Sequence, residues 1–444
     1  METKEIKHGG FTLNGMLALV LSILLMTGGQ AHAQTGTWSG TMKVQGTELL
    51  VVFHLDDNNP TMDSPYQGAK GIPVQIERTT TDSLTIKIPA IGGTYKGVAK
   101  AGQIVGTLSQ RGVAFPLILT SGEKHLNRPQ TPQEPFPYAT EEVSFTNGNA
   151  VLKGTLALPK NHDRSTPIML MVTGSGQQNR DEELAEHKPF AVIADALARA
   201  GIATLRYDDR GFGESTGDAV NCTTEDLKQD ALAGIRLLRK RFDKVGVLGH
   251  SEGGTIALML AADKQADFIV SLAGMVVSGA ETLVSQNKVI LANAGIPQTA
   301  VDAYCKLISE AFEAKIHGDK MPQADGMDIP DGLKQNYKAV LQQIQTPYLQ
   351  HFLALDIRPR LGDVQCPVLA LNGTKDIQVE HASNLGALRS GLPSSPANSI
   401  EAIEGVNHLF QHCTTGAVEE YQSIEETIAP EVLQTIIKWV SLQK

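Results

Sequence analysis

The chain has few cysteines, few aromatic residues and a deficit of basic charge. Among its 444 residues, 38 are Lys or Arg and 48 are Asp or Glu, so the formal net charge is -10 with His neutral. Nucleic acids and anionic membrane surfaces bind clustered basic residues, and those here are scattered, so we expect neither partner. The hydrophobic fraction of 41% is that of an ordinary globular protein, and the length is sufficient for two domains.

The four cysteines are Cys222, Cys305, Cys366 and Cys413. Their spacing matches no zinc-binding pattern, so we expect no metal at these residues. In an oxidising compartment they could form disulfides in three pairings, among which the sequence does not choose. Free buried thiols are an equally good interpretation.

Long apolar runs are scarce as well. Residues 16–26 form an apolar run that is too short to cross a bilayer comfortably. Lys4 and Lys7 precede this run, and Ala31-His32-Ala33 supplies the small-residue pattern that signal peptidase recognises. We therefore predict a bacterial signal peptide at residues 1–33, cleaved after about Ala33, and a secreted or periplasmic protein without stable membrane insertion. A membrane anchor is the alternative.

Residues 34–124 are predicted to form a small all-β module, a sandwich or a barrel, because short alternating segments are separated by turn residues. The predicted strands are residues 38–44, 49–55, 84–88, 94–99, 104–109 and 113–119. The turn-rich segment 63–68 is interpreted as a connecting loop, with contact to a ligand or to the neighbouring domain as the alternative. Four prolines then indicate a semi-rigid linker at residues 125–140.

Residues 141–444 are predicted to form an α/β domain. A hairpin at residues 142–158 is followed by buried apolar strands at 168–172, 202–207, 245–248, 268–272, 368–371 and 399–403. Helical patterns lie between them, including one that starts at the capping box of Thr223 and Asp226, and a last helix is predicted at about 430–442. Strands that alternate with helices predict a mainly parallel sheet covered on both faces.

An insertion at about residues 275–360 separates two of these strands. Helices are predicted in it at residues 281–294, 301–317 and 332–355. Because the insertion leaves the carboxyl end of a strand, where open α/β sheets bind ligands, we interpret it as a cap over the site. An insertion without a functional role is the alternative.

The segment Gly249-His250-Ser251-Glu252-Gly253 lies between a predicted strand and a predicted helix. This is the context of a nucleophile elbow, in which a serine occupies a sharp turn that only glycine neighbours accommodate. The five-residue pattern alone is weak evidence. It becomes informative if an acid and a histidine follow in the order that such sites require.

Two later residues meet that requirement. Asp376 follows the predicted strand 368–371, and His408 follows the predicted strand 399–403. A serine hydroxyl needs a base to take its proton, and the base needs an acid that orients it, so Ser251, His408 and Asp376 are the candidate nucleophile, base and acid. Glu380 and His412 are the nearest alternatives for the acid and the base.

Attack on an acyl carbon also requires N–H donors for the developing oxyanion. The first candidate donor is the backbone N–H of Glu252, which directly follows the nucleophile. The second is the backbone of Ser175 or Gly176, in the glycine-containing loop after strand 168–172. A phosphate-binding loop is the weaker alternative, because no Lys-Ser/Thr pair follows Gly176.

Together with Asn179-Arg180-Asp181, the turn at residues 207–215 and the segments 373–376 and 405–408, these motifs resemble the α/β-hydrolase superfamily. The branch that they resemble is the serine aminopeptidase-like and dienelactone-hydrolase-like one, which contains secreted bacterial carboxylesterases with an N-terminal β module. The resemblance implies an α/β-hydrolase fold with a helical cap, a triad of Ser251, Asp376 and His408, and a structural role for Asp209 and Arg210. Thr173 departs from many relatives, which have histidine there.

The sequence therefore predicts a secreted serine carboxylesterase that hydrolyses small-molecule esters through an acyl-enzyme on Ser251, without metal or organic cofactor. Alternatives on the same triad are an aminopeptidase, a thioesterase and a carbohydrate deacetylase. An aminopeptidase would need carboxylates for the substrate ammonium, and Glu182, Glu183 and Glu252 are candidates, unless they are solvated surface charges. A non-catalytic binding protein is a further alternative. For the β module, cover of the site, carbohydrate binding and homodimer formation remain open.

Overall fold

The computed structural model describes residues 35–443, apart from residues 45–46, 57, 66–68, 79–81 and 111. The predicted signal peptide and part of the segment 63–68 lie outside the described residues. The chain divides into two units, one ending at His125 and one beginning at Leu126. In the described ranges, no helix combines the length and the apolar character that a membrane crossing needs.

The described part of the first unit forms a single antiparallel sheet of nine strands. Their order across the sheet is β4-β3-β2-β1-β9-β8-β7-β6-β5. The strands are β1 (Thr37–Val44), β2 (Thr47–His54), β3 (Thr61–Ser64), β4 (Ala69–Pro73), β5 (Gln75–Arg78), β6 (Ser83–Ile88), β7 (Gly93–Lys100), β8 (Gln103–Gln110) and β9 (Val113–Ser121). The prediction of an all-β module is confirmed.

Strands from both halves of this sheet contribute to one apolar core, which includes Phe53, Ile86 and Tyr95. The buried Tyr95 hydroxyl donates to the carbonyl of Ile104 at 2.9 Å. A Cβ on Gly97 or on Gly106 would come within 2.6 Å of that hydroxyl, so both positions require glycine. β3, β4 and β5 were not predicted from the sequence, because they are short and lie among turn-forming residues.

The second unit contains a sheet of eight strands in the order β10-β11-β13-β12-β14-β15-β16-β17. β10 pairs antiparallel with β11, and β11 with β13, whereas all later pairs are parallel. The strands are β10 (Ala139–Asn147), β11 (Ala150–Leu158), β12 (Ile168–Val172), β13 (Ala203–Tyr207), β14 (Val245–His250), β15 (Ile269–Leu272), β16 (Val368–Gly373) and β17 (Ser399–Ile403).

Helices cover both faces of this sheet. They are α1 (Pro189–Arg199), α2 (Thr224–Leu238), α3 (Glu252–Ala262), α8 (His381–Gly391) and α9 (Pro430–Ser441). α2, α3 and α8 share one apolar core with the sheet, and α1 and α9 share another. The central strands β12 and β15 are buried on both sides, and all their residues except Ser271 are apolar. The predicted α/β-hydrolase fold and the capping box at the start of α2 are confirmed.

The insertion between β15 and β16 forms four helices, α4 (Gly279–Asn293), α5 (Gln298–His317), α6 (Asp331–Gln343) and α7 (Pro347–Ala354). They enclose an apolar core of their own, which includes Tyr304, Phe312 and Tyr337. The prediction of one helix over residues 332–355 is wrong. Pro347 cannot donate a backbone hydrogen bond within a helix, and Thr346 instead caps α7 by accepting from the N–H of Leu349.

The segment that was predicted as a linker is bonded to the second unit beyond His125. Arg128 donates to the carbonyls of Ala185 and Ile424, and Gln130 donates to that of Ile428. All four cysteines of the chain are free thiols in this structure. Of the two interpretations, disulfides and free thiols, the structure agrees with the second.

Candidate active site

Ser251 occupies a turn between β14 and α3. Its backbone has φ 54° and ψ -120°, a region that residues with a side chain rarely adopt. A Cβ on Gly249 would overlap the Gly253 carbonyl, and a Cβ on Gly253 would overlap the Val172 carbonyl. Glycine is therefore required on both sides of the serine, and the segment has the geometry of a nucleophile elbow.

Asp376 and His408 lie together, each just beyond the carboxyl end of a parallel strand. Nδ1 of His408 lies 2.7 Å from Oδ2 of Asp376, and both side chains are buried. The other carboxylate oxygen of Asp376 accepts the N–H groups of Gln378 and Val379 at 2.8 and 2.9 Å. The aspartate is thus held on both oxygens, and it can orient the imidazole and stabilise its charged form.

The residue before the serine contacts this pair, whereas the serine hydroxyl is not bonded to it. The ring of His250, the residue before Ser251, has its centroid 4.7 Å from that of His408. Within the described part of the chain, Oγ of Ser251 makes no hydrogen bond. Such bonds are often long in free enzymes and tighten when substrate binds.

The loop after β12 passes close to the serine. A Cβ on Gly174 would lie 3.1 Å from Cβ of Ser251. The N–H of Gly174 donates to Oε1 of Glu182 at 2.8 Å and is therefore not free for substrate. Ser175 and Gly176 are exposed, and neither backbone N–H donates to an acceptor in the described residues. Both remain candidates for the second oxyanion donor.

The first candidate donor, the N–H of Glu252, belongs to the first residue of α3, where helical N–H groups have no partner within the helix. The carboxylate of Glu252 points away from solvent and is 1% exposed. It accepts the hydroxyl of Thr224 on one oxygen and that of Tyr348, from α7, on the other, both at 2.6 Å. The cap is thus bonded to the residue beside the serine.

Comparison with known proteins gives the family. The family model described as X-Pro dipeptidyl-peptidase (S15 family) matches residues 147–389, more than half of the chain. The chain belongs to the S15 family. It is an esterase-like or peptidase-like hydrolase of the α/β-hydrolase superfamily, so the resemblance at the level of the superfamily is confirmed.

One curated relative of this S15-family chain is Esterase EstD of Thermotoga maritima, which is 34% identical over 140 residues. The match covers 31% of this chain and about a third (33%) of the relative.

Similar solved structures include a Pyrococcus furiosus esterase, Pf2001 (15% identity, TM-score 0.44, covering 72% of this chain and 99% of the other). Proline iminopeptidase of Mycobacterium smegmatis has 15% identity and a TM-score of 0.42, covering 68% of this chain and 98% of the other.

The alternative acid and base of the S15-family chain have other partners. Glu380 caps α8, where its two carboxylate oxygens accept the N–H groups of Ala382 and Ser383. His412 is exposed and lies between Glu426 and Glu431, at 2.9 Å from each. Neither forms an acid–histidine pair with the other, so the geometry favours Asp376 and His408.

The acidic turn after β13 supports the loop beside the serine. Asp209 accepts the hydroxyl of Thr173 at 2.7 Å and the N–H of Gln178 at 2.9 Å. Burial holds the pKa of Asp209 well above its usual range, and the charges of Glu182 and Glu252 act in the same direction against these two hydrogen bonds. Thr173 thus connects the loop to Asp209.

Arg210 makes a different connection. Its guanidinium donates twice to the buried carboxylate of Asp230 in α2, at 2.6 and 2.7 Å. It therefore ties the turn to that helix, whereas Asp209 ties the turn to the loop beside the serine.

Two residues that hold this site together were not predicted from the sequence. Asn407 is fully buried, and its Oδ1 accepts the N–H groups of Leu409 and Gln411, both at 3.0 Å, which fixes the turn that carries His408. Its position before the histidine was the available signal. Tyr348 lies within the insertion, and no local pattern singles it out.

Proposed function

We propose that the chain is a serine carboxylesterase that uses Ser251 as nucleophile, His408 as base and Asp376 as orienting acid. The observation that carries the proposal is the buried 2.7 Å pair of His408 and Asp376 beside a serine held at φ 54°. β14, β16 and β17 belong to the parallel part of one sheet, so the three residues follow strand ends on the same edge.

In the proposed reaction, Nε2 of His408 takes the proton of the Ser251 hydroxyl as the oxygen attacks the ester carbonyl. The tetrahedral oxyanion accepts from the N–H of Glu252 and from that of Ser175 or Gly176. His408 then returns the proton to the departing alcohol, and the acyl group remains on Ser251. Water, deprotonated by the same histidine, releases the acid and restores the serine.

The carboxylates near the serine are buried and accept hydrogen bonds from the protein, which supports an ester rather than a peptide substrate. Both oxygens of Glu252 accept protein hydroxyls, and Oε1 of Glu182 accepts from Gly174 and lies against His250. Because both side chains are buried, they are not solvated surface charges, and neither carboxylate is exposed to bind the ammonium of a peptide. Glu183 lies within ion-pair distance of Lys188.

A peptidase is the second candidate, because the family model is that of X-Pro dipeptidyl-peptidases. Purified protein is assayed on p-nitrophenyl acetate and butyrate, glycyl-prolyl-p-nitroanilide, alanyl-p-nitroanilide and an acetylated xylan. We expect turnover of the aryl esters with kcat/KM far above that of either anilide. Faster hydrolysis of the prolyl anilide would establish the peptidase, and faster release of acetate from xylan would establish a deacetylase.

The role of the serine is tested with Ser251→Ala on the same esters. We expect kcat to fall about 10⁴-fold or more, because the covalent step is lost. A fluorophosphonate probe should label wild type at Ser251 and leave the variant unlabelled. Full activity of the variant would refute the mechanism, and an unlabelled, inactive wild type would favour a binding protein on this scaffold.

We also propose export of the chain, on the basis of residues 1–33 alone. Expression in a bacterial host followed by N-terminal sequencing of the mature protein should give a start at Gln34 in the periplasmic fraction. An uncleaved chain in the membrane fraction would favour the anchor instead.

A further inference from the structure

Glu182 is a buried carboxylate directly beneath the loop of the candidate oxyanion donors. The residue is 4% exposed. Its Oε1 accepts the N–H of Gly174 at 2.8 Å and lies 2.9 Å from Nδ1 of His250. One oxygen atom therefore contacts both the loop after β12 and the residue that precedes the candidate nucleophile.

His250 extends this contact to the third loop of the site. Its Nε2 lies 2.9 Å from the backbone carbonyl oxygen of His408. A backbone carbonyl can only accept a hydrogen bond, so Nε2 of His250 donates to it, and Nδ1 faces the carboxylate of Glu182. Burial alone would lower the pKa of His250, but the charge and hydrogen bond of Glu182 outweigh it and raise the pKa.

The backbone of Glu182 is strained at this position. Its φ of 54° lies in the left-handed region, which is unfavourable for a residue with a side chain. Its Oε2 is buried and has no hydrogen-bond partner among the described residues. Strain and an unsatisfied buried oxygen both lower stability, and such features concentrate at functional sites.

We propose that Glu182 is a positioning residue that holds the oxyanion loop through Gly174 and holds the turn of the base through the ring of His250. The inference rests on the proposed function, since it assigns the alignment of Ser251, His408 and the oxyanion donors to one buried carboxylate. Glu182 does not touch substrate. Its loss misaligns the reacting groups rather than removing a binding contact.

The test compares Glu182→Gln, His250→Gln and the double variant with wild type on p-nitrophenyl acetate. The neutral amide can still accept from Gly174, but it removes the negative charge that faces His250, so the ring is held less firmly against the carbonyl of His408. We expect each single variant to lower kcat about 10²-fold, the effect of a displacement of about 1 Å, with KM changed less than twofold. The double variant should be no slower than the slower single variant, because both act through the same contact.

Asp230→Asn is the matched control. Asp230 is equally buried and ion-paired, with Arg210, but it lies in α2 and bonds to none of the three loops. We expect this variant to lower the unfolding temperature while kcat is retained.

A Glu182→Gln protein that loses stability as the control does and keeps kcat would overturn the inference. A double variant whose loss of kcat equals the product of the two single losses would also overturn the inference. If Glu182→Gln fails to fold, His250→Gln decides by the same kcat criterion.

Labelling separates this inference from the proposed function. Wild type should react with a fluorophosphonate at Ser251, and Glu182→Gln should react at the same residue about 10²-fold more slowly. Equal labelling rates would remove the positioning role and leave the esterase proposal intact. An unlabelled Ser251 in active wild type would instead remove the proposed mechanism.

Discussion

The hydroxyl of Tyr348 donates to Oε2 of Glu252 at 2.6 Å, which joins helix α7 of the cap to the residue that follows Ser251. Burial raises the pKa of Tyr348 well above its usual range, and the charge of Glu252 adds to the rise against a hydrogen bond with Ser175. The phenol therefore remains protonated and keeps donating at neutral pH. This bond links the position of the cap to the position of Glu252, the first candidate oxyanion donor.

Tyr348→Phe removes the bond and leaves one oxygen of a buried carboxylate without its donor. We expect a loss of about 1–3 kcal/mol in the free energy of unfolding and a several-fold higher KM for aryl esters, because α7 is no longer held. Tyr337→Phe is the control, since Tyr337 donates within the cap to the carbonyl of Pro322 at 2.8 Å. If both variants change KM equally, the bond to Glu252 has no special role.

Asp376→Asn tests the acid of the proposed triad. The amide keeps the size of the side chain but does not stabilise the charged imidazole and can hold the wrong tautomer, so kcat should fall about 10³–10⁴-fold. Glu380→Gln makes the same chemical change at the helix cap of α8 and should leave kcat within twofold of wild type. The reverse order of effects, measured by steady-state kinetics, would assign the acid to Glu380.

Part of this arrangement could be predicted from sequence, because Ser251, Asp376 and His408 each follow a buried apolar strand. The carboxyl ends of parallel strands meet at one edge, so the order along the chain implies proximity. The contacts of Glu182 with His250 and of Tyr348 with Glu252 could not be predicted. They join residues 68 and 96 positions apart, and a pairing between distant loops leaves no periodic pattern in either segment.

Local errors in the predicted elements have equally specific causes. β4 was missed because Gly71 and Pro73 mark turns in most contexts, whereas here they lie in a strand at the edge of the sheet. α6 and α7 were merged because the apolar spacing continues across residues 344–347. Pro347 was the signal that a new helix begins.

Asn407→Ala is expected to damage both stability and catalysis. The change leaves the N–H groups of Leu409 and Gln411 buried without their acceptor, which costs about 2–4 kcal/mol, and it frees the turn of His408. We expect kcat to fall at least tenfold at a temperature where the variant is folded. Asn398→Ala is the control, because Asn398 accepts from Val368 at the opposite end of β16. Equal kcat in the two variants would show that Asn407 only stabilises the fold.

His187 should make the stability of the second unit depend on pH. The imidazole is fully buried between the hydroxyl of Thr427 and the carbonyl of Tyr421. Burial lowers the pKa of His187 to about 4, and the charge of Arg128 acts in the same direction. In the unfolded chain the value is the ordinary one of about 6.5, so the unfolded state binds more protons between these two values.

The contribution of neutral His187 to the free energy of unfolding is therefore fully present above about pH 6.5, and it is lost as the pH falls toward 4. Between pH 7 and pH 5 this loss amounts to about 2 kcal/mol. His187→Gln retains hydrogen-bonding groups but does not titrate, and the difference between wild type and variant cancels the other ionisable groups. Urea unfolding at both pH values should show wild type losing about 2 kcal/mol more than the variant. Parallel losses would mean that the pKa of His187 is not lowered in the folded protein.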